Sequence, residues 1–253
     1  MDEQAATITR DTLLGGRVKL SQLKQGFRAA IDPVLLAAAV SARAGESALD
    51  AGSGTGAAAL CLAVRVAGAR VTGIEVDPAL VALARMNAAD TGVADRASFI
   101  VGDLLAPGAV QPESFDQVLT NPPFAEEGSG TPAPDAAKRR ATIEGTGGLA
   151  AWLDACLAAL KPGGWLTVIH RADRVGDVLA HLQGLAGGGV VFPLLPGPAK
   201  PAKRAIIAAC KGSGAPMEPL AGLVLHGAGG GYTPEADAVL RHAQALELRP
   251  PRG

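Results

Sequence analysis

Aromatic residues are scarce in this chain, with five Phe, two Trp and one Tyr among 253 residues. Aliphatic side chains and alanine must therefore build the interior, and 48% of the residues are apolar, enough for an adequate core at this length. Cysteine is nearly as rare. Cys61, Cys156 and Cys210 stand far apart and form no CxxC pair, which excludes a disulfide framework and a zinc knuckle and leaves them as packing residues. No segment reaches the roughly eighteen uncharged apolar residues of a membrane span. The opening MDEQAATITR has neither the basic start nor the apolar run of a signal peptide, so a cytoplasmic protein without membrane contact is expected. His170, His181, His226 and His242 lack metal-ligand spacing; no metal is expected, and they read as surface or strand-end residues. A net charge of −1 argues against indiscriminate nucleic-acid binding.

What is present is a rhythm. From about residue 46 short apolar runs alternate with Ala/Leu-rich stretches, the pattern of βαβ units on a mostly parallel sheet. Strands are predicted at Ser47–Ala51, Arg70–Glu75, Ala97–Val101, Phe115–Thr120, Gly164–His170, Val190–Leu195 and Arg204–Cys210, with another at Leu220–Leu225. Helices are predicted near 33–42, 56–67, 78–91, 147–161, 173–185 and 234–247. Asp32-Pro33 and Asp77-Pro78 each read as an N-cap followed by proline at the first helical position. KPGGW at Lys161–Trp165 reads as a helix stop turning into a strand. Helix 33–42 is apolar nearly all round, so it should lie packed between other elements. Residues 125–146 are polar, Pro/Gly-rich and without periodicity, a pattern read as a mobile substrate loop. With no internal repeat and no evident boundary, residues 46–253 are read as one structural unit, with 1–45 as a basic segment and a helix packing on it.

The stretch ALDAGSGTGAAAL is a strand, a glycine turn and a helix start. Gly52, Gly54 and Gly56 let the backbone approach a ligand and aim helix-start N–H groups at it. Read as G-x-G-x-x-A the turn also suits a dinucleotide, so an NAD(P)-linked oxidoreductase stays open. Three acids narrow the choice. Asp50 closes the first strand, where an anion suits a ligand carrying positive charge. Glu75 closes the second about twenty residues on, where a carboxylate can accept both ribose hydroxyls. Asp103 follows the third and can accept from an adenine amino group. A cationic amino acid joined to ribose and adenine is S-adenosyl-L-methionine, whose demethylated product is S-adenosyl-L-homocysteine. Ala51, Ser53, Val76, Gly102 and Leu104 flank these groups and, with Asn121 at the end of the fourth strand, complete the expected cofactor site.

LTNPPF at Leu119–Phe124 follows the fourth strand. Pro122 and Pro123 stiffen the chain and end the sheet ladder, which displays Asn121, the Pro122 carbonyl and the Phe124 ring. An exocyclic amino nitrogen is a poor nucleophile because its lone pair is delocalised. If the Asn121 side-chain oxygen and the Pro122 carbonyl accept its two N–H bonds, the lone pair can turn toward a sulfonium methyl, and fixed dipoles meet the charge that develops. Phe124 would stack on the flat target, worth about 1–3 kcal/mol per base. No cysteine nucleophile stands beside the strand ends, which disfavours carbon methylation of a pyrimidine.

Basic residues gather in three places: Arg10, Arg17, Lys19, Lys24 and Arg28; Lys138, Arg139 and Arg140; and Lys200, Lys203, Arg204 and Lys211. Three clusters around one site point to a polyanionic partner. Phe27, an aromatic among the first cluster, could cover the cofactor or touch a nucleic acid.

DAGSGTG, GIEVD, VGDLL and LTNPPF, in this order, resemble the class I S-adenosylmethionine-dependent methyltransferases with an NPP-aromatic motif. That resemblance implies a Rossmann-like seven-stranded sheet with one antiparallel strand and helices on both faces. GGRVKLSQLKQGFRAAIDPVLLAAAV, KRRATIEG and GYTPEADAVLRHA resemble the bacterial valine-tRNA adenine-N6 methyltransferases, which modify the adenosine next to the anticodon. The resemblance implies a tRNA substrate and makes Lys24, Phe27, Arg28 and Asp32 pocket or RNA contacts, with Arg139 and Arg140 matching the group's basic stretch and Lys138, Lys203 and Arg204 on phosphates. A monomer or weak homodimer is expected. Rival expectations are glutamine-N5 methylation of a protein, as in the release-factor methyltransferases, guanine-N2 methylation of ribosomal RNA, and a non-catalytic RNA-binding module.

Overall fold

The computed structural model of the chain describes residues 8–24, 29–122 and 148–248. An antiparallel hairpin of β1 (Ile8–Leu13) and β2 (Val18–Leu23) precedes helix α1 (Asp32–Ala39). There follow β3 (Ser47–Ala51), α2 (Ala57–Arg65), β4 (Arg70–Glu75), α3 (Pro78–Thr91), β5 (Ala97–Val101) and β6 (Phe115–Thr120). Then come α4 (Gly148–Ala159), β7 (Leu160–Arg171), α5 (Val175–Leu182), β8 (Ala186–Leu195), β9 (Arg204–Lys211), two short strands β10 (Glu218–Pro219) and β11 (Leu223–Val224), and α6 (Pro234–His242).

The sheet order is β10-β8-β9-β7-β6-β3-β4-β5, with β11 also on β8. Only β9 runs against its neighbours, β7 and β8; every other pair in this sheet is parallel. The expected seven strands with one antiparallel member are thus the seven longer ones, extended at one edge by two two-residue strands. Period-2 alternation sends side chains to both faces. Along β7, Leu166 and Val168 pack with α4 and α5 residues such as Leu153 and Val178, while Ile169 joins the opposite cluster with Leu35 of α1 and Leu60 of α2. Both faces are therefore covered by helices, as a mostly parallel sheet requires. Helix α1 is buried from Pro33 to Ala39, as its apolar circumference predicts.

The order reverses between β3 and β6: β4 and β5 continue to one side, β7 onward to the other. In open sheets of this kind, ligands bind outside the carboxyl ends of the strands at such a switch point. The loop after β3 and the turn after β6 flank that crevice.

Several local expectations are corrected. The N-terminal basic segment contains the β1–β2 hairpin, hidden by polar residues on its covered side; Ser21 and Gln22 are buried and hydrogen-bonded. Asp32 is not the N-cap of α1. Ile31 occupies that position, no side chain caps the helix, and the Asp32 carboxylate instead accepts from Arg204 Nε at 3.2 Å. Asp77 does cap α3, accepting from the Ala79 N–H at 2.9 Å. KPGG lies inside β7 as an irregularity in its pairing with β6, with Gly163 at φ 74°. The Leu220–Leu225 run is split into β10 and β11, and α6 ends at His242 because Ala243 turns into the left-handed region. His170 lies at the end of β7, one of the two places expected, but is fully buried, and its pKa is lowered to about 4, first by burial and then by Arg174, Arg171 and Arg204.

Candidate functional site

The loop after β3 is held by β4. The N–H groups of Gly52 and Ser53 both donate to the Ile74 carbonyl at 3.0 Å, and Gly56 N–H closes a turn on the Ser53 carbonyl at 2.8 Å. Gly52, Gly54 and Gly56 all have positive φ, at 75°, 53° and 85°. At Gly54 an added Cβ would meet nothing within 4 Å, so the loop presents bare backbone to open space. A ligand can come closer to a main chain there than any side chain would permit. Gly56 is required for another reason: a Cβ would stand 2.7 Å from the Phe99 ring.

Glu75 faces this loop. One carboxylate oxygen accepts from the Gly54 N–H at 3.0 Å and the other from the Asp77 N–H at 3.0 Å. A carboxylate offers about four acceptor sites, so two bonds leave capacity for a ligand's hydroxyls. Beside it Val76 is half exposed, and Val101 at the end of β5 likewise. Both offer apolar surface along the rim. Asp103 is exposed and accepts from the Leu105 N–H at 3.0 Å, and Gly102 N–H donates to the Glu75 carbonyl at 3.0 Å. Leu104 and Ala51 are core residues, so they reach the crevice with main chain only; Ser53 is buried in the loop itself.

Asp50 stands behind the loop rather than on its open side. It is 3% exposed, and its carboxylate accepts from the Ala59 N–H in the first turn of α2 at 3.0 Å. Burial is the main cause that pushes its pKa from 3.8 up to about 7; the Ala59 N–H opposes the rise and Glu75 adds to it.

On the other side of the crevice, Asn121 and Pro122 continue from β6 directly beside the loop, since Thr120 pairs with Ala51. The Asn121 side-chain oxygen is buried and has no hydrogen-bond partner among the described residues. A buried acceptor left open is disfavoured by about 1–3 kcal/mol, so it is open to a donor that the described residues do not supply. Together with the bare loop at Gly54 and the uncommitted capacity of Glu75, this fits a cofactor on the loop and an amine on Asn121.

Of the remaining expected site residues, Lys24 ends the hairpin and is exposed, Lys203 is exposed, and Arg204 is held by Asp32. Phe27, Arg28, Pro123, Phe124, Lys138, Arg139, Arg140 and the loop 125–146 lie outside the described residues. Three residues that sequence reasoning passed over belong to the site's frame. Asn87, fully buried in α3, accepts from Ser21 N–H at 2.7 Å and donates to the Ser21 and Thr55 carbonyls at 3.1 and 3.0 Å, tying the hairpin to the glycine loop. The signal was an amide on the apolar stripe of α3, three and four residues beyond Ala84 and Leu83. Thr120 and Trp152 join β6 to β3 and α4. Among the described residues no group of three or more His, Cys, Asp or Glu could hold a metal, and no helix is long and apolar enough to cross a membrane.

Residues 30–139 match the family described as the methyltransferase small domain. The chain is 37% identical over 169 residues to the tRNA1(Val) (adenine(37)-N6)-methyltransferase of Porphyromonas gingivalis, a match covering 64% of this chain and 66% of that protein. It is 34% identical over 144 residues to the release factor glutamine methyltransferase of Moorella thermoacetica, covering 54% of this chain and 50% of that one. The chain thus spans just under two thirds of one curated relative and half of the other. Among solved structures, a predicted O-methyltransferase from Agrobacterium tumefaciens superposes with a TM-score of 0.71 at 25% identity, covering 85% of this chain and 97% of that one.

Proposed function

We propose that the protein, whose residues 30–139 match the methyltransferase small domain and whose fold is that of a class I methyltransferase, is an S-adenosylmethionine-dependent N-methyltransferase acting on an adenine N6 amine in tRNA. The observation that carries the reading is the buried, unpartnered Asn121 oxygen beside a glycine loop at the switch point of the sheet. S-adenosylmethionine, when bound, supplies an electrophilic methyl on a sulfonium centre.

The chain's own groups do the rest. Gly52, Gly54 and Gly56 give the cofactor close main-chain approach, Glu75 accepts from its ribose, and Asp103 with the apolar rim of Val76 takes its adenine. Asn121 Oδ1 and the Pro122 carbonyl accept the two N–H groups of the target amine, which turns its lone pair out of the base plane. As the nitrogen becomes tetrahedral, those two fixed dipoles face the growing positive charge; the sulfur would leave with the S–CH3 bonding pair as S-adenosylhomocysteine, and the methylated nitrogen, then cationic, would release one N–H proton to solvent, so no strong base is needed. Phe124 stacks the base, which must be exposed or flipped to enter. The tRNA assignment is supported by the Porphyromonas gingivalis relative and by the exposed basic residues Lys24 and Lys203, joined by Arg28, Lys138, Arg139 and Arg140 in the sequence. The protein would act in the cytoplasm.

A glutamine side-chain amide presents the same planar NH2 to the same acceptors, and the Moorella thermoacetica relative is named for that substrate. One experiment separates the two. The protein is incubated with methyl-labelled S-adenosylmethionine and, separately, total bacterial tRNA or release factor, and the products are hydrolysed. We expect label in N6-methyladenosine, with affinity falling steeply as salt rises because phosphate contacts release counterions. Label in protein glutamine overturns the substrate, and failure to bind S-adenosylhomocysteine overturns the reading.

A further inference from the structure

The β3–β6 ladder ends at the pair Ala51 and Thr120. One residue further on, the two chains part: Gly52 opens the glycine loop and Asn121 opens the acceptor turn. Across this last rung run two further bonds. The fully buried Thr120 hydroxyl donates to the Ala51 carbonyl at 2.9 Å and accepts from the Trp152 indole N–H at 2.9 Å. The same indole ring lies over Gly52: a Cβ on that residue would stand 3.0 Å from Trp152 Cζ2 and 3.2 Å from Cη2. Trp152 therefore approaches the origin of the loop with Cζ2 and Cη2 of its ring and the origin of the acceptor turn with its N–H. Each partner's hydrogen-bonding role follows from chemistry, since an indole N–H can only donate and a carbonyl can only accept.

From this we infer that Trp152 and Thr120 are positioning residues that fix the distance between the glycine loop and the Asn121 acceptor, and with it the alignment of methyl donor and amine. The inference rests on the proposed transfer. It concerns the transfer step and not the holding of either ligand: the loop's shape is set separately by Ile74, Glu75 and Asn87, none of which touches Thr120 through a hydrogen bond. In-line displacement is steeply sensitive to such spacing, a misplacement of about 1 Å being worth ~10²-fold in rate.

The test uses Thr120→Val, which keeps the shape and loses both bonds, Trp152→Phe, which keeps an aromatic ring and loses the N–H together with the Cζ2 and Cη2 atoms nearest Gly52, and Thr120→Ser, which keeps the hydroxyl. Turnover is measured on whichever acceptor the wild-type protein labels, and S-adenosylhomocysteine affinity by calorimetry on the full chain. We expect kcat to fall about 10- to 100-fold in Thr120→Val and about 3- to 10-fold in Trp152→Phe, with S-adenosylhomocysteine affinity within twofold of wild type, and Thr120→Ser to recover at least half the wild-type kcat. Unchanged kcat in Thr120→Val and Trp152→Phe overturns the inference. So does a parallel loss of kcat and affinity, which a merely structural role produces. If Thr120→Val does not fold, Trp152→Phe and Thr120→Ser decide by the same split. Label on protein in place of tRNA would remove the substrate assignment and leave this comparison standing, whereas a wild-type protein that labels neither would remove both.

Discussion

Asp50 and Asn121 lie at the ends of neighbouring strands, both with a buried side-chain oxygen, and they are handled in opposite ways. Asp50 is turned inward and satisfied by the Ala59 N–H, so its carboxylate serves the chain itself. The Asn121 oxygen is left without a donor among the described residues. On the cofactor side the frame is largely tied to itself: Glu75 accepts from the Gly54 N–H, Asp50 from the Ala59 N–H, and Asn87 donates to the Thr55 carbonyl, with the buried Ser53 hydroxyl left without a partner among the described residues. The acceptor side is unfinished until an amine arrives. A binding surface can be rigid without a ligand, whereas a group meant to strengthen its bond in the transition state must keep its lone pair uncommitted.

The largest expected effect breaks the comparison on the Asp50 side. The folded protein holds a proton on Asp50 up to about pH 7, while the unfolded chain releases it near 3.8. Between those values the native state binds more protons than the unfolded one, so this group's contribution to stability falls as pH rises through that window and is level above it. At about 1.4 kcal/mol per unit, three units amount to roughly 4 kcal/mol. Asp50→Asn keeps an acceptor for Ala59 and cannot titrate. Urea midpoints at pH 4.5 and 7.5 should therefore show the wild type losing stability relative to the variant; parallel behaviour would mean that the site accepts the charge without penalty.

Next comes the acceptor side. Asn121→Ala should lower kcat by about 10²- to 10³-fold, the effect of deleting one preorganised transition-state dipole, with S-adenosylhomocysteine affinity within twofold of wild type. Cofactor titration beside single-turnover transfer separates the two quantities. A variant that binds cofactor poorly would mean that Asn121 belongs to the cofactor side, and the contrast with Asp50 would disappear.

How much of this was legible in the sequence follows from the range of each interaction. The βαβ core from Ser47 to Thr120 announced itself through local periodicity and glycines, and its strand limits agree with the expected ones. The hairpin did not, because Ser21 and Gln22 face inward and look like surface residues until their partners Asn87 and Ala29 are known. Asp50 was placed correctly at a strand end, but which way its carboxylate turns depends on the start of α2 nine residues away. Thr120 and Trp152 are 32 residues apart, and each alone reads as packing. Their role exists only once the fold sets the Thr120 hydroxyl between the Ala51 carbonyl and the Trp152 N–H.

The smallest effect sharpens the contrast by showing how the cofactor side is held. Phe99 of β5 lies against two glycines at once: a Cβ at Gly73 would stand 2.4 Å from its Cδ1, and one at Gly56 2.7 Å from its Cζ. With only 3% of its surface exposed, the ring has little room to retreat. The same Cβ at Gly73 would also meet the Ser53 hydroxyl at 2.7 Å, inside the loop. Gly73→Ala is thus an overpacking substitution, expected to destabilise by about 1–3 kcal/mol. Because the push reaches Ser53, cofactor affinity should fall with it, while kcat at saturating cofactor stays near wild type. Adding Phe99→Leu to Gly73→Ala should return part of both losses, since a smaller side chain vacates the space the new methyl needs. Thermal midpoints and calorimetry on the single and double variants measure this directly. If Gly73→Ala instead lowered kcat with affinity intact, the packing on this side would be coupled to the acceptor turn, and the two sides of the crevice would not be built on separate principles.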